Sequence, residues 1–404
     1  MRCPDPYHRT MQDPTPLNTT RLAAAALLAA AAFSLGCDDV AETDTGAGGT
    51  TSTGSNSTTD TGSATSTEDG ILALKAGWNV IEPGGDTICS RGTPFRYFVR
   101  PGTVNKVVIE FRGGGACWNN FTCGLAESLF QEEASEDPWV TDDSQAAGIY
   151  DHSRDDNPFK DWHHVYIPYC TGDIHWGNNE AEYGSGAKAY TIQHKGAVNV
   201  GAALDWTFEN VKSPEKVMVT GCSAGAYGSI LWSAHVRHHY EKAAVYQLAD
   251  SGAGIITDTF FQDSFPSWKP EGAYPTWIPG LVPEDLTRLP QLYEAIGGEY
   301  PDMILSQYNT RYDEDQAFYF PAMGGGDANE WSKQMTAAVD EITTTTPNFA
   351  SYQAGGFKHC IIPFDEFYTV ESNGVKLVDW VKEMVDGKQP EDVDCAEGEC
   401  GAPK

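Results

Sequence analysis

Basic side chains are scarce in this sequence: 26 Lys and Arg stand against 57 Asp and Glu, a formal net charge of −31. A surface of that sign repels phosphate backbones, which argues against nucleic acid as a partner. It also repels heavily anionic polymers. No two cysteines are separated by two residues, so zinc-site spacing is absent and no metal is expected. Long apolar runs are missing too. The run from Leu22 to Leu35 (LAAAALLAAAAFSL) is too short to span a bilayer, which leaves the core of a signal peptide as its reading. Residues 38–70 contain no Lys or Arg and almost nothing apolar, so they cannot bury a core of their own.

What is present organises the chain into three parts. Residues 1–36 read as a signal peptide, with Met11 as an alternative start. The run ends in Ser34-Leu-Gly-Cys37, an imperfect bacterial lipobox because Ser34 stands where Leu is usual. Cys37 is therefore the expected lipidation site, with plain signal cleavage as the alternative. Residues 37–70 read as an acidic Ser/Thr/Gly tether, with a root-mean-square reach of roughly 30 Å. The expected location is the bacterial cell envelope or the medium outside it, with membrane contact only through the lipid. Residues 71–404 carry the folded domain, and a monomer is expected. Hydrophobic residues make up 40% of the chain, enough for a sizeable core. Eight cysteines fall in this part: Cys89, Cys117, Cys123, Cys170, Cys222, Cys360, Cys395 and Cys400. An even number behind an export signal predicts disulfides. Cys395 and Cys400 close a short loop in the tail; the other pairings are not readable.

Short β-rich runs alternate with helix-like stretches from residue 71 onward. Strands are expected at 106–111, 164–167, 216–220, 243–248 and 303–308, with a helix over 190–210. That alternation predicts an α/β fold with a mostly parallel central sheet flanked by helices. Residues 258–302, rich in Pro, Trp and Tyr, read as a lid-like insertion.

The chemistry concentrates at Gly221-Cys222-Ser223-Ala224-Gly225, a Gly-x-Ser-x-Gly motif. An apolar strand precedes it and a helix-like run follows, which is the strand–turn–helix setting of a nucleophile elbow. Ser223 is the candidate nucleophile. A hydroxyl needs a base, and the order in α/β-hydrolases is Ser, acid, His. His235, His238 and His239 lie on the helix that leaves the elbow, which carries them away from it. His359 is the histidine left, and it is the expected base. The acid must fall between the two. Asp250, Asp258, Asp263, Asp285, Asp302, Asp313, Asp315 and Asp327 compete, and position just past a strand favours Asp313, with Asp315 second. An oxyanion hole needs two backbone N–H groups. Ala224 supplies one. The glycine triplet after the 106–111 strand supplies the other, from Gly114, Gly115 or Ala116.

Five stretches together resemble the pectin acetylesterase and Notum family of serine hydrolases. They are Glu110-Phe-Arg-Gly-Gly-Gly-Ala-Cys-Trp, Val165-Tyr-Ile-Pro-Tyr-Cys-Thr-Gly-Asp, Gly221-Cys-Ser-Ala-Gly, Leu248-Ala-Asp-Ser-Gly, and Asn309-Thr-Arg-Tyr-Asp with Gln316, followed by His359-Cys360. The resemblance covers residues 75 to 370. It implies an α/β-hydrolase-like fold, a Ser223–Asp313–His359 triad and hydrolysis of a carboxylic ester without any cofactor. Known members remove acetyl groups from pectin or a fatty acyl group from a signalling protein. Plant members carry Trp directly after the glycine triplet, where this chain has Ala116, with Trp118 two positions on. Trp118, Asp173, His175 and Trp176 are the substrate-pocket candidates, and the differences there leave the substrate open. An acetylated polysaccharide is the expected partner. A non-catalytic surface binding protein on the same fold, and a thioesterase or peptidase with the same triad, are the alternatives.

Overall fold

The computed structural model describes residues 70–401 except 126–128, 135 and 397. The chain divides into two units, Met1–Thr65 and Ser66–Lys404, and every described residue belongs to the second. The signal peptide, Cys37 and most of the tether lie outside the described residues.

Eight strands form one sheet. In chain order they are β1 (Asn79–Ile81), β2 (Tyr97–Arg100), β3 (Lys106–Phe111), β4 (His163–Ile167), β7 (Lys216–Cys222), β8 (Ala244–Asp250), β9 (Ile304–Thr310) and β10 (Phe349–Ala354). Their spatial order is β1-β2-β4-β3-β7-β8-β9-β10. β1 and β2 pair antiparallel at one edge, and every pair from β4 to β10 is parallel. Two further strands, β5 (Asn179–Tyr183) and β6 (Tyr190–His194), form a separate hairpin. The fold is therefore α/β-hydrolase-like, with a mostly parallel sheet covered on both faces. Side chains alternate between two cores, as the two-residue period requires. Val107, Ile109 and Phe111 enter one with Val217 and Val219; Val108 and Met218 enter the other.

The helices that matter for the site are α1 (Gly196–Asn210), α2 (Ala224–His239), α3 (Phe260–Trp268), α4 (Leu289–Glu299), α5 (Glu314–Tyr319), α6 (Ala328–Thr345) and α7 (Leu377–Val385). α2 carries Arg237 in its last turn, a guanidinium that suits the negative end of a helix dipole. The expected helix over 190–210 divides: its first residues pair as β6, and the helix begins at Gly196. The 258–302 insertion contains α3 and α4. α4 buries Leu292, Tyr293 and Ile296 completely, and only the start of α3 reaches the site, through Phe260. Four disulfides join Cys89–Cys170, Cys117–Cys123, Cys222–Cys360 and Cys395–Cys400.

Candidate active site

β3, β7, β8, β9 and β10 all end on one edge of the sheet, the side where open α/β sheets place their ligands. β7 runs directly into Ser223, whose φ of 57° and ψ of −122° are unusual for an L residue. Such a conformation costs about 1–3 kcal/mol. Two glycines permit it by letting backbone come close. A Cβ on Gly221 would lie 2.5 Å from the carbonyl oxygens of Phe111 and Gly225, and one on Gly225 would collide with the Phe111 carbonyl. Ser223 then caps α2, so its side chain stands at the positive end of that helix.

His359 lies in the loop after β10. Its Nδ1 is 2.8 and 2.9 Å from the two carboxylate oxygens of Asp313. Asp313 is fully buried and caps α5. Its Oδ1 accepts the amides of Asp315 (3.1 Å) and Gln316 (2.9 Å), and Oδ2 accepts the Gln316 side-chain N–H at 2.9 Å. The carboxylate is thus locked before it meets the imidazole. Asp315, the second candidate acid, is half-exposed and stands 4.0 Å from Nε2. Burial alone would depress the His359 pKa. The charge and hydrogen bond of Asp313, with Asp315 and Asp250 further off, outweigh it and raise the value to about 9.

The two halves of the site are joined covalently. Cys222, just before Ser223, is bonded to Cys360, just after His359, across 138 residues. The sulfurs and a His359 ring nitrogen all lie within 4.8 Å of one another. The compact His, Cys and Asp clusters among the described residues each contain a disulfide, so their sulfurs are not thiolate ligands.

An almost wholly apolar cavity of about 50 Å³ opens on Ser223. Small residues (Gly115, Ala116 and Ala224) and large ones (Trp118, Ile174, Phe260, Tyr319 and Met323) line it together. A larger, open groove of about 420 Å³ runs beside Arg311, Tyr312 and α6, but neither Ser223 nor His359 borders it. The small cavity is the site because it contains the candidate nucleophile. The glycine loop lies on that serine: a Cβ on Gly113 would be 2.8 Å from the Ser223 Cβ.

Of the expected donors in the glycine loop, Ala116 has its amide engaged, donating to the Leu129 carbonyl at 3.2 Å. The amides of Gly114 and Gly115 meet no protein acceptor among the described residues, and Gly115 is the one that borders the cavity. Gly114 instead faces the Tyr169 ring. Trp118 borders the cavity as expected, with its ring against Phe260 at 5.0 Å. Asp173, His175 and Trp176 do not. Asp173 is fully buried; its carboxylate accepts from the Thr171 hydroxyl (2.6 Å) and the Gly196 amide (2.8 Å). Burial pushes that carboxyl up to about 6. The His175 Nε2–H donates to the Arg112 carbonyl (2.9 Å), and the Trp176 indole donates to the Tyr227 carbonyl (3.0 Å). These three brace the chain beneath the site. Ile174 and His175 have φ of 50° and 69°, and in this turn it is Ile174 that borders the cavity. His235 and His238 are packed against Trp277 on the far part of α2.

Comparison with known proteins places this architecture. Residues 79–266 match the family model described as pectinacetylesterase. The palmitoleoyl-protein carboxylesterase NOTUM of Schmidtea mediterranea is 28% identical over 206 residues, covering 50% of this chain and 37% of that protein. Pectin acetylesterase 4 of Arabidopsis thaliana is 26% identical over 160 residues, covering 38% of this chain and 36% of its own length. The chain therefore spans little more than a third of these curated relatives. The solved structure of the Wnt deacylase Notum from Drosophila superposes with a TM-score of 0.58 at 17% identity, covering 78% of this chain and 96% of that one. At that identity the likeness speaks for the fold.

Proposed function

The chain belongs to the pectin acetylesterase and Notum family of carboxylester hydrolases, and from that premise we propose that it is a serine esterase working through Ser223, His359 and Asp313. Neutral His359 takes the Ser223 proton on Nε2 as the oxygen attacks the ester carbonyl. The amides of Gly115 and Ala224 hold the resulting oxyanion. The imidazolium returns its proton to the departing alcohol, leaving an acyl-enzyme. Water attacks that ester through the same base and frees the acid. Asp313 keeps the proton on Nδ1 and balances the imidazolium charge. The observation that carries the reading is the Asp313–His359 contact, tied by the Cys222–Cys360 bond to a serine in the strained elbow conformation.

The cavity sets the acyl group. A small, almost wholly apolar cavity, with an accessible volume of about 50 Å³, favours a short acyl group such as acetyl to butyryl. The acidic chain favours a neutral glycan as the alcohol portion. The four disulfides suit an exported protein, and we place it at the cell envelope, held by lipid on Cys37 through the 37–70 tether. Mass spectrometry of the native N-terminus tests the anchor. p-Nitrophenyl esters of increasing chain length, beside peptide amides, test the chemistry. Acetate and butyrate esters should turn over and Ser223→Ala should remove that turnover; faster amide cleavage would sink the esterase reading.

A further inference from the structure

Two polar residues at the end of β8, Asp250 and Ser251, are completely buried beside the elbow. A carboxylate in such a place is costly unless its lone pairs are filled. Here they are filled by donors that belong to the two halves of the site. The main-chain carbonyl of Asp250 accepts the Ser223 amide at 2.9 Å. Its Oδ2 accepts the amides of Ile361 and Ile362 at 2.7 and 2.9 Å. Its Oδ1 accepts the Ser251 hydroxyl at 3.1 Å, and that hydroxyl oxygen accepts the Cys360 amide at 2.9 Å. β9 holds the bracket from the other side, because the Ser251 amide donates to the Tyr308 carbonyl at 2.8 Å. Two consecutive residues thus hold the amide of the nucleophile and the three amides that follow His359.

We infer that Asp250, with Ser251, is a positioning residue that fixes the turn carrying His359 relative to Ser223. The inference rests on the serine-esterase reading above. Its role differs from that of Asp313, which touches the imidazole itself. It also differs from that of the disulfide. A single S–S link sets the separation of Cys222 and Cys360 but leaves the turn free to rotate about the link. Three hydrogen bonds donated by main-chain amides to Asp250 and Ser251, at a rigid strand end, remove that rotation. Ser251 and Cys360 have φ of 56° and 60°, conformations that L residues hold only when their surroundings fix them. The Asp250 charge also lies near enough to favour the imidazolium form of His359.

The test uses the full chain, with p-nitrophenyl acetate as substrate and a serine-directed phosphonate to count competent sites. Asp250→Ala leaves two amides and a hydroxyl without their acceptor. It should lower kcat per labelled site about 100-fold with KM nearly unchanged, the size expected when a reacting group is misplaced by about 1 Å. Asp250→Asn keeps an oxygen for the Ile361 and Ile362 amides and should recover kcat to within about tenfold of wild type. Ser251→Ala removes one acceptor and should fall between the two. A purely structural role would lower the melting temperature and the number of labelled sites while kcat per site stayed at the wild-type value, and that result overturns the inference. If Asp250→Ala does not fold, Ser251→Ala decides by the same criterion. Wild-type turnover in Ser223→Ala would be a different failure: it would remove the esterase reading, whatever the Asp250 variants do.

Discussion

Met323 borders the cavity at Ser223 and is 8% exposed, so its side chain helps set how long an acyl group fits. Met323→Ala removes three heavy atoms. At about 10–15 Å³ each in the same measure, that adds roughly 30–45 Å³ to a cavity of about 50 Å³, room for about three more methylenes. Each methylene buried on binding is worth about 0.8 kcal/mol, or a factor of about four. If the cavity stays open, the two methylenes by which hexanoyl exceeds butyryl become buried, and the ratio of kcat/KM for hexanoyl over acetyl p-nitrophenyl esters should rise about 16-fold. Partial collapse of Phe260 and Tyr319 into the space would reduce that figure. The cost in stability is about 2–5 kcal/mol, typical for truncating a buried Met, so melting is measured alongside. A chain-length ratio that moves less than about twofold in a folded variant would refute the assignment of this cavity as the acyl site.

Other consequences follow from the same geometry. Because the His359 pKa is raised to about 9, the base is mostly protonated at neutral pH, and kcat/KM should climb with pH toward that value; Asp313→Asn, which removes the charge that raises it, should move the midpoint down. The raised value also stabilises the fold: the contribution is complete below about 6.5 and is lost as pH rises through about 9, so melts at the two ends should differ in wild type and less so in Asp313→Asn. Gly225→Ala forces a methyl against the Phe111 carbonyl and should abolish turnover even where the chain still folds, which circular dichroism beside the ester assay would report. Replacing Cys222 and Cys360 together by Ala opens a loop of 138 residues; denaturant melts should show a loss of up to about 5 kcal/mol.

The elbow was legible in the sequence because everything it needs is local: an apolar strand, two small residues around Ser223 and a helix. His359 was reached by elimination, since few histidines follow the serine. Asp313 needed the resemblance to separate it from its neighbours, and the structure shows why chain position alone was weak. Asp250 also ends a strand near the imidazole, but its carboxylate is occupied by the amides of Ile361 and Ile362. β1 and β2 went unread because they are only three and four residues long, and β10 (FASYQA) because its Ser and Gln are buried where the pattern looks polar. The pocket was the least legible part. Ile174, Phe260, Tyr319 and Met323 come from separate loops and helices that only tertiary packing brings together. No local pattern reveals the backbone turn at Ile174 and His175, which carries Ile174 to the cavity and buries the polar groups of Asp173, His175 and Trp176.

The most direct measurement is the mass of the protein after reaction with a serine-directed phosphonate, followed by peptide mapping. The account predicts one adduct per chain, carried by Ser223, with hydrolysis of acetyl ester lost in proportion to labelling. Full labelling of that residue with hydrolysis intact, or labelling elsewhere that alone stops it, would contradict the account.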